Sequence, residues 1–250
     1  MHKVLELDPE SIQTYESLAD YYMTLGDLEQ AQALIDKGRR LNPAYAGIAA
    51  SEATLLLLQG NKAAAVQSMQ AMVRKWPEDK TLLRSAARIE AYAGNPQQAH
   101  DLFLRAYGYT EYPSEWVIDG SSAFDMPLVA YVIYQLGDTE TAVELSEAAL
   151  AFFAGLAEQG TKFWGVGAFA SSAAAAVQDR KGALNGLQLA LDQGMTAGPI
   201  LRLDPSYDFL RDDPEFIAIR QELERRRQAV VVALAKDGLI AETALAQTDP

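Results

Sequence analysis

The sequence predicts an all-α fold in which helical hairpins about 34 residues long stack into a solenoid. Four series of residues share a spacing of 34 positions: Gly26, Gly60 and Gly94; Ala19, Ala53 and Ala87; Ala31, Ala65 and Ala99; Pro9, Pro43 and Pro77. A fixed period of this length is typical of repeat proteins, in which each unit buries its apolar face against its neighbours. Because the four series are independent of one another, the period is not a chance pattern.

Each series has a physical role in a helical hairpin. Two antiparallel helices need small side chains where their backbones approach, and the two alanine series supply one such position on each helix. The glycine provides the left-handed residue that ends the first helix, and Asp27, Asn61 and Asn95 then cap the second. Larger apolar residues four positions after the second alanine fill the space between helices, and the proline stops the second helix. These residues are Ile35, Met69 and Phe103.

The pattern resembles the tetratricopeptide repeat, and the first unit carries the best match. Its matching residues are Tyr15, Leu18, Ala19, Tyr22, Gly26, Ala31, Ile35 and Pro43. The resemblance covers residues 12–113 as three units in register, 12–45, 46–79 and 80–113. It implies a right-handed α-α superhelix of about five hairpins with a C-terminal capping helix. Glu52 and Glu90 depart from the pattern, since an apolar residue is usual at these positions.

Beyond residue 113 the repeat is looser. Gly94 and Gly137 are 43 residues apart, nine more than the period, and we assign the excess to an inserted loop at 114–122. Two degenerate units are predicted over 123–195. The turn of the last unit, which begins at Gln178, has no glycine.

Both ends of the chain suggest a larger context. Residues 1–11 match the end of a second helix, which predicts that the chain opens within a preceding repeat. Residues 196–250 are predicted to form a capping helix and tail, with Asp213 and Pro214 starting the helix. The stretch from Leu203 to Phe216 resembles the segment that closes tetratricopeptide regions of bacterial signalling proteins linked to adenylate cyclase, winged-helix regulator or kinase modules. That resemblance implies a docking or sensory region of a larger protein.

Composition and charge exclude several classes of partner. The formal net charge is −13, spread over both halves of the chain, so nucleic acid and anionic membranes would be repelled. There are no cysteines, which excludes disulfides. The longest apolar runs are too short to insert into a membrane. A cytoplasmic location is favoured, and a periplasmic one fits a membrane-anchored parent protein. The oligomeric state is left open.

The residues for catalysis or for a cofactor are not grouped in the sequence. His2 and His100 stand apart, without the cluster of ligands that a metal ion needs. The phosphate-binding and dinucleotide-binding glycine motifs are missing, and we interpret Gly165–Gly167 as a point of close helix packing or a kink in the helix. An enzymatic alternative would use the loop near Trp116, where no nucleophile–base pair is visible. We therefore predict a non-enzymatic protein without a metal or other cofactor.

The resemblance implies that a ligand binds in the concave groove lined by the first helix of each unit. The candidate residues there are Asp20, Arg84, Arg88, Tyr92, Tyr131 and Tyr134. Chaperone-tail binders of the family hold a terminal carboxylate with Lys and Asn, but Glu16 and Asp20 occupy those positions in the first unit and would repel it.

Two interpretations of each candidate group remain open. Arg84 and Arg88 lie one helical turn apart and either grip an acidic group or pair with a neighbouring acid such as Glu52. The tyrosines either hold an apolar or proline-rich segment or pack between units. The first hypothesis for function is a protein-protein interaction scaffold with a protein or peptide ligand. The alternative is a small-molecule or peptide sensor that uses the same groove.

Overall fold

The computed structural model describes residues 7–109, 118–120, 122–196, 200–238 and 240, and within them the chain is helical without any β-strand. The helices are α1 (Ile12–Leu25), α2 (Leu28–Leu41), α3 (Ala46–Leu58), α4 (Lys62–Lys75), α5 (Lys80–Ala93), α6 (Pro96–Tyr107), α7 (Met126–Gln135), α8 (Thr139–Glu158), α9 (Trp164–Ala176), α10 (Arg180–Asp192), α11 (Ile200–Leu203), a 3-10 helix (Pro205–Leu210) and α12 (Pro214–Lys236). The predicted all-α class is confirmed.

Helices α1 to α10 form five antiparallel hairpins, each made of an odd-numbered helix and the even-numbered helix that follows it. The odd-numbered helices contact one another in succession, from α1 to α3, α5, α7 and α9. They therefore form one continuous layer, and the even-numbered helices form a second layer outside it. This is the arrangement of the tetratricopeptide solenoid that the 34-residue period predicts.

The periodic alanines lie where the helices approach each other. None of the six has any exposed surface: Ala19, Ala31, Ala53, Ala65, Ala87 and Ala99. The apolar residues predicted to fill the space between helices are also fully buried, at 0% for Ile35 and Phe103 and 1% for Met69. Because protein interiors are close-packed, the space at these positions fits a methyl group and no larger side chain.

The turns within the hairpins match the predicted chemistry with one exception. Gly26 and Gly94 end α1 and α5 in the left-handed conformation, with φ of 85° and 93°. The side chain of Asp27 accepts a hydrogen bond from the backbone N–H of Gln30 and so caps α2. The predicted cap by Asn95 is wrong, because its amide Nδ2 donates to Glu90 Oε2 at 2.7 Å instead.

That hydrogen bond explains why a glutamate stands at a position that is usually apolar. Glu90 is only 2% exposed, and its second carboxylate oxygen accepts a hydrogen bond from Gln70 Nε2 at 3.0 Å. A buried carboxylate is tolerated when its oxygens are satisfied in this way. Glu52, the other departure from the repeat, forms an ion pair with Arg39.

The last hairpin has the closest backbone contact. A Cβ atom added at Gly167 would lie 2.5 Å from the backbone nitrogen of Ala190, and one added at Gly186 would lie 2.6 Å from that of Ser171. Both distances are too short for any side chain, so α9 and α10 touch through their backbones. Gly167 therefore lies at a point of close packing, whereas a Cβ atom added at Gly165 would meet the ring of Phe163.

Helix α12 begins at the predicted residues and covers the last hairpin. The carboxylate of Asp213 accepts from the N–H groups of Glu215 and Phe216, and Pro214 occupies the first turn. Phe216, Ile219 and Leu223 recur at helical spacing and are buried against the apolar residues of α10. The first half of α12 therefore covers the exposed face of α10.

The second half of α12 packs against the first helix of the solenoid. Val231 is 2% exposed and belongs to the same apolar cluster as Leu18 and Tyr22 of α1. The guanidinium of Arg227 donates to the backbone carbonyl of Leu25. Helix α12 thus links the two ends of the solenoid, a contact that the repeat pattern does not predict.

Three predicted segments lie wholly or partly outside the described residues. Of the preceding-repeat segment at 1–11, only residues 7–11 are described, and Leu7 is helical and 84% exposed. Of the inserted loop at 114–122, residues 118–120 and 122 are described, and Ser122 and Asp119 bond to each other there. The tail beyond residue 240 is not covered.

Candidate functional site

The layer of odd-numbered helices places Asp20 and Arg88 on a shared surface of the groove. Asp20 lies on α1 and accepts a hydrogen bond from Ser51 Oγ of α3 at 2.7 Å. The surrounding protein limits hydration of this carboxylate and raises the pKa of Asp20, and neighbouring Glu16 adds to the rise. Ser51 and the positive charge of Arg88 act in the opposite direction. Asp20 and Arg88 are therefore close enough to interact electrostatically.

Arg84 and Arg88 converge on one buried carboxylate, that of Asp125. Arg88 Nη2 donates to Asp125 Oδ1 at 2.9 Å, and Arg84 Nε lies 3.5 Å from Oδ2. The hydroxyl of Tyr107 donates to Oδ2 at 2.9 Å. Asp125 immediately precedes α7 and is 5% exposed. The two arginines thus pair with a neighbouring acid, and that acid is Asp125 rather than Glu52.

The cluster brings together two guanidinium groups and one buried carboxylate. Arg88 keeps 44% of its side-chain surface exposed and Arg84 keeps 32%. A charge-assisted hydrogen bond holds Arg88 on Asp125, and an ion pair draws Arg84 to the same carboxylate, while both side chains stay accessible from the groove.

The phenol of Tyr107 is locked in its protonated form. Burial, followed by the neighbouring Asp125 carboxylate, raises the pKa of Tyr107 well above its ordinary value. The hydroxyl therefore remains a donor and fixes one oxygen of Asp125 in position. Tyr107 is the last residue of α6, so this bond also ties the outer layer of the solenoid to the groove.

The three candidate tyrosines contribute mainly to packing between the third and fourth hairpins. Tyr92 is 8% exposed and belongs to the large apolar cluster around α5 and α7. Tyr131 and Tyr134 are half-buried against the same cluster. Burial raises the pKa of Tyr131 to about 12, with Asp208 and Asp204 adding to the rise. Those two acids belong to the C-terminal segment, which therefore lies beside Tyr131.

The chain itself fills the groove at its fourth and fifth hairpins. The 3-10 helix Pro205–Leu210 lies against α7 and α9, where it borders a partly open cavity of about 160 Å³. The cavity is lined by Tyr131, Gln135, Ala175, Ala176, Gln178, Pro205, Ser206, Asp208 and Phe209. The hydroxyl of Tyr207 donates to Ser171 Oγ at 2.9 Å and lies 3.1 Å from Ser172 Oγ. The part of the groove that stays open is bounded by α1, α3 and α5.

Buried polar groups hold this segment in place. The carboxylate of Asp204 accepts from the backbone N–H of Ser206 at 2.9 Å, and its burial raises the pKa of Asp204 to about 6. The guanidinium of Arg211 donates to the backbone carbonyls of Leu201, Arg202 and Asp204. The ring of Tyr207 stacks on Phe216 of α12 at 5.6 Å between centroids.

Sequence reasoning missed Asp125 and Asp204. Both are buried carboxylates with specific partners, and each has one local signal, a position just before a helix that carries a proline in its first turn. That signal predicts a helix cap, and Asp204 does cap the 3-10 helix. The Asp125 side chain makes no cap hydrogen bond and turns to the arginines. Its partners lie far from it in the sequence, and Arg88 is 37 positions earlier.

Metal binding and membrane insertion find no support in the residues that the structure covers. Over these ranges, no three His, Cys, Asp or Glu side chains come together as possible ligands of a metal ion. None of the helices described combines the length and apolar character needed to cross a membrane.

Comparison with known proteins identifies the fold. No protein-family model and no curated protein matches the sequence. Among solved structures, the APC/C hetero-tetramer Cut9-Hcn1 matches 98% of this chain and 44% of that chain, with a TM-score of 0.52 and 14% identity. The chain therefore spans less than half of that protein.

Two further structures are similar at lower scores. Pseudomonas aeruginosa pilF is 16% identical over 90% of this chain and 98% of that chain, with a TM-score of 0.49. YrrB, described as a TPR protein with an unusual peptide-binding site, is 18% identical over 80% of this chain and 95% of that chain, with a TM-score of 0.40. The match to Cut9-Hcn1, at 14% identity, establishes a shared fold alone, the tetratricopeptide solenoid.

Proposed function

We propose that this chain is a protein-protein interaction scaffold that holds a segment of a partner protein in the groove between α1, α3 and α5. The tetratricopeptide solenoid supports this, since it presents an extended concave surface suited to elongated ligands. The observation that carries the proposal is the convergence of Arg84 and Arg88 on Asp125. Both side chains are fixed by the buried acid, so little conformational entropy is lost when a ligand binds.

The charge of the groove defines the chemistry of the partner. The guanidinium groups of Arg84 and Arg88 favour a carboxylate or another acidic group, which a guanidinium binds through paired hydrogen bonds. Asp20 and Glu16, at the first hairpin, repel acids and favour a basic or polar group. We therefore infer a ligand segment with an acidic residue over the third hairpin and a basic residue towards the first.

A peptide-binding assay tests this proposal. Fluorescence anisotropy would compare a short labelled peptide carrying both an acidic and a basic residue with the same peptide after its acids are replaced by amides. We expect the acidic peptide to bind and Arg88→Gln to weaken binding at least about tenfold, the loss of one charge-assisted contact. Arg225→Gln is the matched control, because Arg225 lies on the exposed side of α12 and pairs with Glu222. Equal binding by all three proteins would contradict the proposal.

The finer proposal is that this scaffold serves as the docking or sensory region of a larger bacterial signalling protein. Its support is the resemblance of the stretch from Leu203 to Phe216 to the closing segments of such regions. The full-length gene is the test, and we expect it to encode an adjoining cyclase, winged-helix or kinase module. A gene that encodes repeats without any output module would overturn this part and leave the scaffold proposal intact.

A small-molecule sensor is the second candidate, and the cavity beneath the 3-10 helix favours it. At about 160 Å³ the cavity is smaller than the ~300 Å³ at which drug-sized pockets begin. It would admit only a compact polar molecule. Thermal-shift screening of such compounds, with Ala176→Leu filling the cavity as the control variant, distinguishes this candidate. Shifts that persist in Ala176→Leu would exclude the cavity as the site.

A further inference from the structure

Helix α12 joins the last hairpin to the first. Its 23 residues extend over about 34 Å, enough to cross the open side of the superhelix. The first half is attached to α10 through its apolar stripe, and Arg226 there donates to the backbone carbonyls of Leu191 and Met195. The second half meets α1. In an open solenoid each unit contacts only its neighbours, so the contact between α12 and α1 makes this solenoid a closed ring.

The two attachments differ in strength. On α10, three side chains are buried, with Phe216 0%, Ile219 8% and Leu223 3% exposed. Against α1, Val231 of α12 and Ile240 beyond the helix are buried, at 2% and 9% exposed, while Val230 and Leu234 are partly exposed. Because apolar burial is the main stabilising term for both contacts, the contact with α1 is the weaker one and opens first.

A polar contact defines where the weaker attachment begins. Arg227 donates to the carbonyl of Leu25, which is the last residue of α1, so its charge lies at the negative end of the helix dipole. Glu224 holds the same guanidinium through two hydrogen bonds, of 2.8 and 2.6 Å. This arrangement fixes the rotamer of Arg227 and positions it for the carbonyl.

We propose that residues Arg227–Lys236 form a latch, which closes the ring on α1 reversibly and controls access to the groove between α1, α3 and α5. The biological meaning of the latch rests on the proposed binding function, whereas its opening does not. A partner larger than an extended peptide reaches Asp20 and Arg88 only when the latch is open. Its apparent affinity is therefore reduced by the fraction of molecules that are closed.

Opening is measured with single thiols, since the chain has no cysteine of its own. Val231→Cys places a thiol in the latch, and Leu223→Cys places the matched control in the buried half of the same helix. We expect Ellman's reagent to modify the first at least about tenfold faster than the second under native conditions, as local opening requires. Arg227→Ala should accelerate modification at Val231→Cys alone. Equal rates at the two positions would show that α12 is released only by global unfolding and would overturn the proposal.

Access to the groove is measured with Asp20→Cys, whose thiol faces the groove. A small maleimide should react equally fast with and without Arg227→Ala, because it passes through the closed ring. A maleimide carrying a long polyethylene glycol chain should react at least about fivefold faster when Arg227→Ala is present. If the bulky reagent shows no acceleration, the latch does not restrict the groove. Neither experiment uses a ligand, so a failed peptide-binding assay leaves both results interpretable.

Discussion

The guanidinium of Arg227 donates a hydrogen bond to the backbone carbonyl of Leu25, a residue 202 positions earlier in the chain. Nearly all other contacts in the described residues link an element to its neighbours along the solenoid. This one contact, with Val231 beside it, turns an array of hairpins into a ring.

The carboxylate of Asp125 should be needed to hold the side chains of Arg84 and Arg88 in their observed positions. Asp125→Asn removes the charge that Arg84 and Arg88 share and weakens the acceptor of Tyr107. We expect the free energy of unfolding to fall by about 1.5–3 kcal/mol, the range for hydrogen bonds to charged groups. Urea denaturation measures it, with Asp101→Asn on exposed α6 as the control. An Asp125→Asn protein as stable as the control would show that Asp125 does not organise the cluster.

Stability should depend on pH through Asp204. Burial raises the pKa of Asp204 to about 6, above the ordinary value of 3.8, so the folded protein holds this proton more tightly than the unfolded chain. The resulting stabilisation is complete below about pH 4 and is lost as the pH rises through about 6, by up to about 3 kcal/mol.

Asp204→Asn should remove that dependence, because the amide oxygen can still accept from Ser206 and carries no charge. Urea denaturation between about pH 4 and 7 would show a flatter profile for Asp204→Asn than for the parent protein. Asp212→Asn, at an exposed position in the turn before α12, should keep the slope. A slope that survives in Asp204→Asn would assign the pH dependence to another group.

Filling the space at a periodic alanine should disrupt the hairpin. Ala53 has no exposed surface, and Leu in its place would force α3 away from its neighbours. We expect Ala53→Leu to lower the free energy of unfolding by about 1–3 kcal/mol, the usual cost of overpacking. Ala63→Leu, on the exposed side of α4, adds the same atoms at no packing cost. Thermal denaturation of the pair checks the prediction, which fails if both variants melt together.

The turn of the fifth hairpin stores local strain. Gln178 has a φ of 59°, and it is the single non-glycine residue with a positive φ in the described ranges. This conformation costs a residue with a side chain about 1–2 kcal/mol relative to glycine. A glycine here would lose more conformational entropy on folding, which cancels about half of that gain.

Gln178→Gly should therefore raise the free energy of unfolding by up to about 1 kcal/mol. Gln159→Gly is the matched control, since Gln159 also ends a helix but has an ordinary φ of −74°. Differential scanning calorimetry of both variants measures the change in stability. Stabilisation by Gln159→Gly as well would attribute the effect to something other than relief of the left-handed backbone.

Local chemistry predicted much of the fold and little of the groove. The caps of Asp27 and Asn61 follow from short-range rules, and each accepts from the backbone N–H three residues on. Asn95 has the same position in its unit but serves Glu90, because a buried carboxylate competes more strongly for its amide than the helix end does. Gln70 of the preceding hairpin also donates to this carboxylate. No local sequence pattern includes a contact between two hairpins.

By itself, the sequence determined the hairpin, its 34-residue period and the small residues at the helix contacts, since these depend on neighbours close along the chain. The tertiary structure decided which acid holds Arg84 and Arg88, and that Pro205–Leu210 fills the far half of the groove. It also decided that Arg227 reaches Leu25. The physical reason is that small rotations between successive hairpins accumulate along a solenoid. The summed rotation, which no single repeat encodes, sets the distance between the two ends that α12 spans.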